Sequence, residues 1–136
     1  MESAVWRGES PASEVAIQQL LSNSGIALPA AYLNHLRCSN GGEGDLSIEP
    51  YWVSFWKAEE VVELNRSYEV AQNIPGFFGF GSNGGGELLA FKVSDSEPFP
   101  IYRVPFIVMA QEDAVLIAQD FETFQGTLMA FKTNDQ

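Results

Sequence analysis

Positive charge is scarce in this chain: 7 Lys and Arg stand against 18 Asp and Glu, a formal net charge of −11. Phosphate backbones are gripped by clustered Lys and Arg, so no nucleic acid is expected as a partner. Cysteine is nearly missing as well. Cys38 stands alone, and a lone thiol makes no internal disulfide. The opening MESAVWRGES lacks the apolar segment of a secretory leader. No apolar run approaches bilayer-spanning length. These absences point to a cytoplasmic protein with no membrane partner. Also missing are an HExxH pair, zinc-type cysteine spacing, an EF-hand loop, a P-loop and a G-x-S-x-G elbow. Neither metal nor cofactor is therefore expected.

What is present suits a folded binding protein. The 136 residues are 46% apolar, enough for one domain with a real core. The expected ordered part spans residues 11–131, between short flexible termini. An acidic surface favours a basic partner and fast, salt-sensitive association; the same charge also serves plain solubility.

The stretch GFGSNGGG contains a formal G-x-G-x-x-G at Gly79, Gly81 and Gly84. A dinucleotide cradle needs a helix immediately after it. Here ELLAFKV follows, too short for a crossover helix and running into the loop-like SDSEP. The reading is a hairpin instead, with strands over 77–82 and 87–93. Asn83, Gly84, Gly85 and Gly86 form its turn, since Asn-Gly supplies the positive φ values of a tight reversal.

Elsewhere, Ser10 and Pro11 predict the start of a helix that carries Ile17, Leu20 and Leu21 on one face and stops at Gly25. Leu28-Pro29 opens a second helix, with Tyr32, Leu33 and Leu36 together, ended by Asn40-Gly41-Gly42. A strand is expected over 46–56, interrupted or placed at an edge by Pro50. A helix follows over 57–70, burying Val61, Leu64, Tyr68 and Val62 while Glu59, Glu60, Glu63 and Arg66 face water. A strand lies near 101–104. FIVMA reads as strand or as an approach to a helix. The spacing of Ile117, Phe121, Phe124 and Leu128 predicts a last helix over 114–130. Residues 1–9 and the final TNDQ read as ragged ends, with Trp6 able to pack on the domain. Strands without regular βα alternation predict an α+β fold: an antiparallel sheet with helices on one face.

Catalytic arrangements are not visible. His35 and Cys38 share a helix face, but no third group orients them and no oxyanion site accompanies them. The expected places are a helix-end or surface position for His35 and a small buried one for Cys38. Glu59, Glu60 and Glu63 read as a solvated helix face rather than a cation site. The remaining signal is surface character. Glu43, Asp45, Glu49, Glu59, Glu60 and Glu63 surround Tyr51, Trp52, Phe55 and Trp56, with Lys57 the only base among them. On a strand, Trp52 and Trp56 point opposite to Tyr51 and Phe55, so one side fills a core and the other offers rings rimmed by carboxylates. Tyr and Trp are favoured interface anchors. The candidate partner-binding residues are Glu43, Asp45, Glu49, Trp52, Trp56, Glu59 and Glu63. Asp95 and Glu97 read as an ordinary polar loop.

The order of motifs resembles the SUKH superfamily, the family of yeast Smi/Knr-type cell-wall regulators and many bacterial immunity proteins. Leu28-Pro-x-x-Tyr32-Leu33 and Ser39-Asn40-Gly41-Gly42 open the resemblance. EEVVELN (59–65), FFGFGSNGGGELLAF (77–91), PIYRV (100–104) and IAQDFETF (117–124) continue it. It covers residues 14–130. The family often carries Asp or Asn in the strand after the glycine turn, where this chain has Glu87. The resemblance implies an α+β fold and no catalytic motif. It implies an immunity protein that binds and neutralises a polymorphic toxin, often a nuclease; a basic toxin domain is the expected partner. A regulatory scaffold of the Smi/Knr type is the alternative, and an enzyme or small-ligand binder a third. The expected state is a monomer, or a weak homodimer paired through an exposed edge strand.

Overall fold

The alternation in ELLAFK sets the architecture. Leu89 and Phe91 enter one hydrophobic cluster while Leu88 and Ala90 enter another. Successive side chains of a strand point to opposite faces, so this strand is buried on both. It is β5 (Glu87–Lys92) in a computed structural model that describes residues 3–131. The other strands are β1 (Trp6–Arg7), β2 (Glu43–Asp45), β3 (Trp52–Phe55), β4 (Phe77–Ser82), β6 (Ile101–Pro105) and β7 (Val115–Ala118). All pair antiparallel in chain order, β1 to β7, as a seven-stranded meander. With five helices on it, the fold is α+β, as the strand pattern predicts.

The larger cluster lies where α1 (Glu14–Ser24), α2 (Ala30–Cys38) and α5 (Phe121–Gln125) cover the sheet. Aromatic rings fill its centre. Phe80 and Phe91 sit with centroids 4.8 Å apart, and Tyr32 stands edge-on to Phe91 at 5.3 Å and to Phe121 at 5.5 Å. Such pairs add about 0.5–1.5 kcal/mol each beyond their buried area. The reverse face is covered more thinly, by α4 (Val70–Asn73) and the connection after β6. There Val70, Ile74, Phe77, Val104 and Met109 close a smaller cluster. α3 (Val61–Ser67) leads into α4.

The glycine stretch is the expected hairpin. Asn83 Oδ1 accepts from the backbone N–H groups of Gly85 and Glu87, at 2.9 and 3.0 Å. Gly84 holds φ +78°. Gly81 serves a different need: a Cβ there would come within 2.5 Å of the Ser54 carbonyl oxygen.

Several boundaries differ from the sequence reading. Residues 5–7 are not ragged, since Trp6 and Arg7 pair with Gly44 and Glu43. The cap of α1 is Ser13, whose Oγ accepts from Ala16 N–H at 3.1 Å. Ser10 instead offers its carbonyl to Asn40, and Ala12 donates to Leu36. That holds residues 10–12 against the end of α2 and out of the helix. The strand expected over 46–56 shrinks to β3, Trp52–Phe55; residues 47–51 are the turn that joins it to β2, with Tyr51 at φ +70°. The helix expected over 57–70 breaks at Glu69, φ +55°, and Tyr68 is exposed rather than buried. The break lets Val70 and Ile74 reach the reverse face. FIVMA is neither strand nor helix. The long last helix is absent. Residues 115–118 are strand, and Asp120 starts the short α5 by accepting from Thr123 N–H at 2.8 Å. Ile117, Phe121, Phe124 and Leu128 meet one cluster from a strand, a helix and a turn. The TNDQ tail lies outside the described residues.

Tyr32 is fully buried, and its hydroxyl meets no hydrogen-bond partner among the described residues. Tyr32→Phe should therefore leave stability unchanged or raise it by about 1 kcal/mol. Phe80→Ala, in the same cluster, should cost about 3–5 kcal/mol. Urea unfolding of both variants checks the contrast. A large loss in Tyr32→Phe would show that the hydroxyl has a partner.

Candidate functional site

Alternation along WVSF decides which rings face outward. Val53 and Phe55 enter the larger cluster, while Trp52 and Ser54 remain half-buried on the reverse face. Cross-strand register adds Asp45 opposite Trp52, Glu43 opposite Ser54 and Arg7 opposite Glu43. Among the described residues, no helix packs on this end of the reverse face: α4 and its cluster sit over β4 to β6. The Arg7 guanidinium lies 5.9 Å from the Trp52 ring and 3.4 Å from Glu43. Asp45 accepts from the Val5 N–H at 2.7 Å. The glycine turn reaches over from β4, with Gly84 closely approaching Trp52. A shallow groove of about 290 Å³ runs beside this face, lined by Arg7, Glu9, Glu43, Ser54, Lys57 and Glu60 among others.

Trp56, Glu59 and Glu63 lie further along, where the chain leaves β3 for α3. Trp56 is half-buried and stacks on Tyr68, which packs in turn on Phe106. Glu59 accepts from the Asn40 amide at 2.8 Å. That bond holds its carboxyl below the usual range, so it stays charged. Glu63 makes a long 3.9 Å pair with Arg66. Glu49 does not join them. It lies in the 46–51 turn and pairs with Arg103 at 3.0 Å, on the sheet side that carries Leu89. Of the 7 candidate residues, the structure thus gathers Glu43, Asp45 and Trp52 on one face. Trp56, Glu59 and Glu63 sit near it, and Glu49 stands apart.

Arg103 also binds Glu87 at 2.9 Å, and Glu87 accepts from Asn83 Nδ2 at 3.2 Å. Glu87 therefore braces the turn and the neighbouring strand together. Two asparagines that sequence reading passed over as side chains have structural tasks. Asn40 accepts from Ala58 N–H at 2.7 Å as well as holding Glu59. Asn65 donates to the carbonyls of Val61 and Gly79 and accepts from Gly79 N–H at 2.8 Å. It ties α3 to the glycine-rich strand. Ser39 donates to the Gly41 carbonyl and accepts from Glu9 N–H. Gly42, at φ +93°, leaves room that Trp6 fills.

These bonds give the ordered motifs their meaning: each pins one segment to the next. The SMI1/KNR4 family (SUKH-1) model matches residues 11–125. This chain belongs to the SUKH-1 family. No curated protein matches the sequence.

Two other places in this SUKH-1 domain bear on chemistry. His35 is not at the surface: it is 1% exposed, ringed by Trp6, Phe55, Phe121 and Phe131. Its Nε2 lies 3.3 Å from the Gly41 carbonyl, and its Nδ1 lies 3.2 Å from the Gln125 amide. A neutral ring with Nε2–H donating and Nδ1 accepting satisfies both. Cys38 is half-exposed rather than buried. A cavity of about 460 Å³ opens between the end of α1, α3 and α4, over Phe77 and Phe78. Of its polar lining, Asn65 is engaged by backbone, Ser24 by Leu21 and Ile26, and Arg66 by its long pair with Glu63; Asn23 and Gln72 complete it. Among the described residues, no group of three His, Cys, Asp or Glu side chains is placed to hold a metal, and no helix is long and apolar enough to cross a membrane.

Burial pushes the His35 imidazole down to about 4, against the smaller opposing effect of the Gly41 hydrogen bond. The unfolded chain binds a proton near pH 6.5, while the native state refuses it until about 4. Stability is thus full above pH 6.5 and falls as pH drops towards 4, by on the order of 3 kcal/mol from this group. His35→Gln should flatten that part of the pH–stability curve. Urea midpoints across the range measure it; an unchanged slope would place the proton elsewhere.

Proposed function

We propose that this SUKH-1 protein is an immunity-type binding protein that neutralises a toxin by covering its working surface, without catalysis of its own. One observation carries the reading. Among the described residues, the β1–β3 end of the sheet carries no helix on its reverse face, and there it presents Trp52 among Glu43, Asp45 and Arg7. Trp is a favoured interface anchor, and carboxylates around it bias the encounter towards a basic partner. The net charge of −11 extends that attraction over the whole molecule. Arg7 and Lys57 temper the field at the face itself, so steering comes from Glu59, Glu60 and Glu63 as much as from Glu43. Family membership supports a Smi/Knr-type regulatory scaffold as the second reading; it would use the same face without a toxin.

The test is binding to the product of the adjacent gene, with its toxicity measured with and without this protein. Glu43→Lys, Glu59→Lys and Glu63→Lys together should lower the association rate about tenfold at low salt and flatten its salt dependence. Trp52→Ala should instead speed dissociation by about 30-fold, as loss of an anchor worth about 2 kcal/mol does. Association and dissociation rates untouched by these changes would remove this face from the contact. No protection from the adjacent product would favour the scaffold reading.

A further inference from the structure

The two edges of the sheet are finished differently. β1 is 2 residues long and carries Arg7, and short charged edge strands resist further pairing. At the other side, β7 has β6 on one flank and no strand on the other among the described residues. Its sequence, VLIA, holds no charge, proline or glycine. Val115 and Leu116 are 44% and 47% exposed, although both are large and apolar. The connection that feeds the strand adds Ile107 and Val108, exposed by 84% and 81%. Val108 holds φ +53°, a left-handed conformation that a β-branched residue adopts only under strain. Its neighbours Phe106 and Met109 are packed into the smaller cluster. The strained turn thus anchors its flanks and leaves two aliphatic side chains in water. Below β7, a shallow groove of about 180 Å³ is lined by Ile48, Glu49, Arg103, Val115, Leu116 and Ile117.

Charge decides what fits there. From Val104 to Phe131 the chain carries Glu112, Asp113, Asp120 and Glu122, and no Lys or Arg. A second copy laid antiparallel on β7 would set these acids against their own counterparts. A basic segment meets opposite charge.

We propose that β7 is a docking edge that accepts an extended, basic segment of a partner protein as an eighth strand. Backbone hydrogen bonds to the open side of Val115–Ala118 supply the pairing, as in other strand-addition complexes. The segment's aliphatic side chains, all on one face of the added strand, rest on Leu116, and its Lys or Arg residues are drawn to Glu112, Asp113 and Asp120. This surface lies at the opposite edge of the sheet from Trp52, and its assignment stands without the toxin reading.

A short synthetic peptide of alternating valine and lysine is the probe, with alternating valine and glutamate as control. Amide NMR of the isotope-labelled protein follows the titration. The lysine peptide should shift the amides of Val115–Ala118 and protect them from exchange, while the glutamate peptide should not. Leu116→Lys should weaken binding at least tenfold. The paired reversal Glu112→Lys with Asp113→Lys, at exposed positions outside the core, should weaken it also. Trp52→Ala should leave it unchanged, so failure here and failure of the toxin reading are separable. Absence of binding, equal binding of both peptides, shifts confined to the β1–β3 face, or a homodimer that Leu116→Lys dissolves would each overturn the proposal.

Discussion

Phe80, Phe91, Tyr32 and Phe121 meet in one knot of rings, and the rest of the domain is arranged to make that meeting possible. Two rings come from adjacent strands and two from separate helices. Rings of this size pack closely onto a sheet only where the backbone around them is bare. Gly79 and Gly81 provide that, flanking Phe80 and carrying a shift in the strand register. A side chain at Gly79 would collide with Leu88, and one at Gly81 with the neighbouring backbone. The glycines that imitate a nucleotide loop in sequence are there to let strands and aromatics approach. Asn65 then supplies Gly79 with polar partners, where a strand neighbour is displaced by the bulge.

How much of this was legible follows from how local each signal was. The hairpin was plain because Asn83 and its glycines determine a turn by themselves. The first two helices were plain for the same reason, their apolar faces and stop signals being contiguous. The last expected helix failed on a coincidence: four core positions at helical spacing came from three different elements, and the cap at Asp120 was the cue that outweighed them. His35 was misplaced because nothing near it in sequence foretells the ring cage, whose members come from residues 6, 55, 121 and 131. The candidate face was half legible. Strand alternation put Trp52 and Phe55 on opposite sides, as the structure has them, without saying which side was the core. Tyr51 broke the pattern by leaving the strand at positive φ. Glu49 went with Arg103, more than 50 residues away in the chain, a pairing that only the fold reveals.

The acids divide into two populations. Glu14, Glu43, Glu49, Glu63 and Glu87 each find an arginine. Exposed pairs of this kind contribute little to stability, yet they cancel field locally and hold geometry. The acids between Val104 and Phe131 have no Lys or Arg within that stretch of chain. Charge density is therefore uneven. The Trp52 face mixes both signs and suits oriented recognition, whereas beside β7 the one base, Arg103, is taken up by Glu49 and Glu87, which leaves acids in excess.

Trp6 and Phe131 touch, their centroids 5.0 Å apart, although they lie near opposite limits of the described chain. The first residue of β1 and the far limit of the described residues thus converge on a single corner of the molecule. Both rings also flank His35, so loosening either segment would unlatch the wall that keeps water from the imidazole.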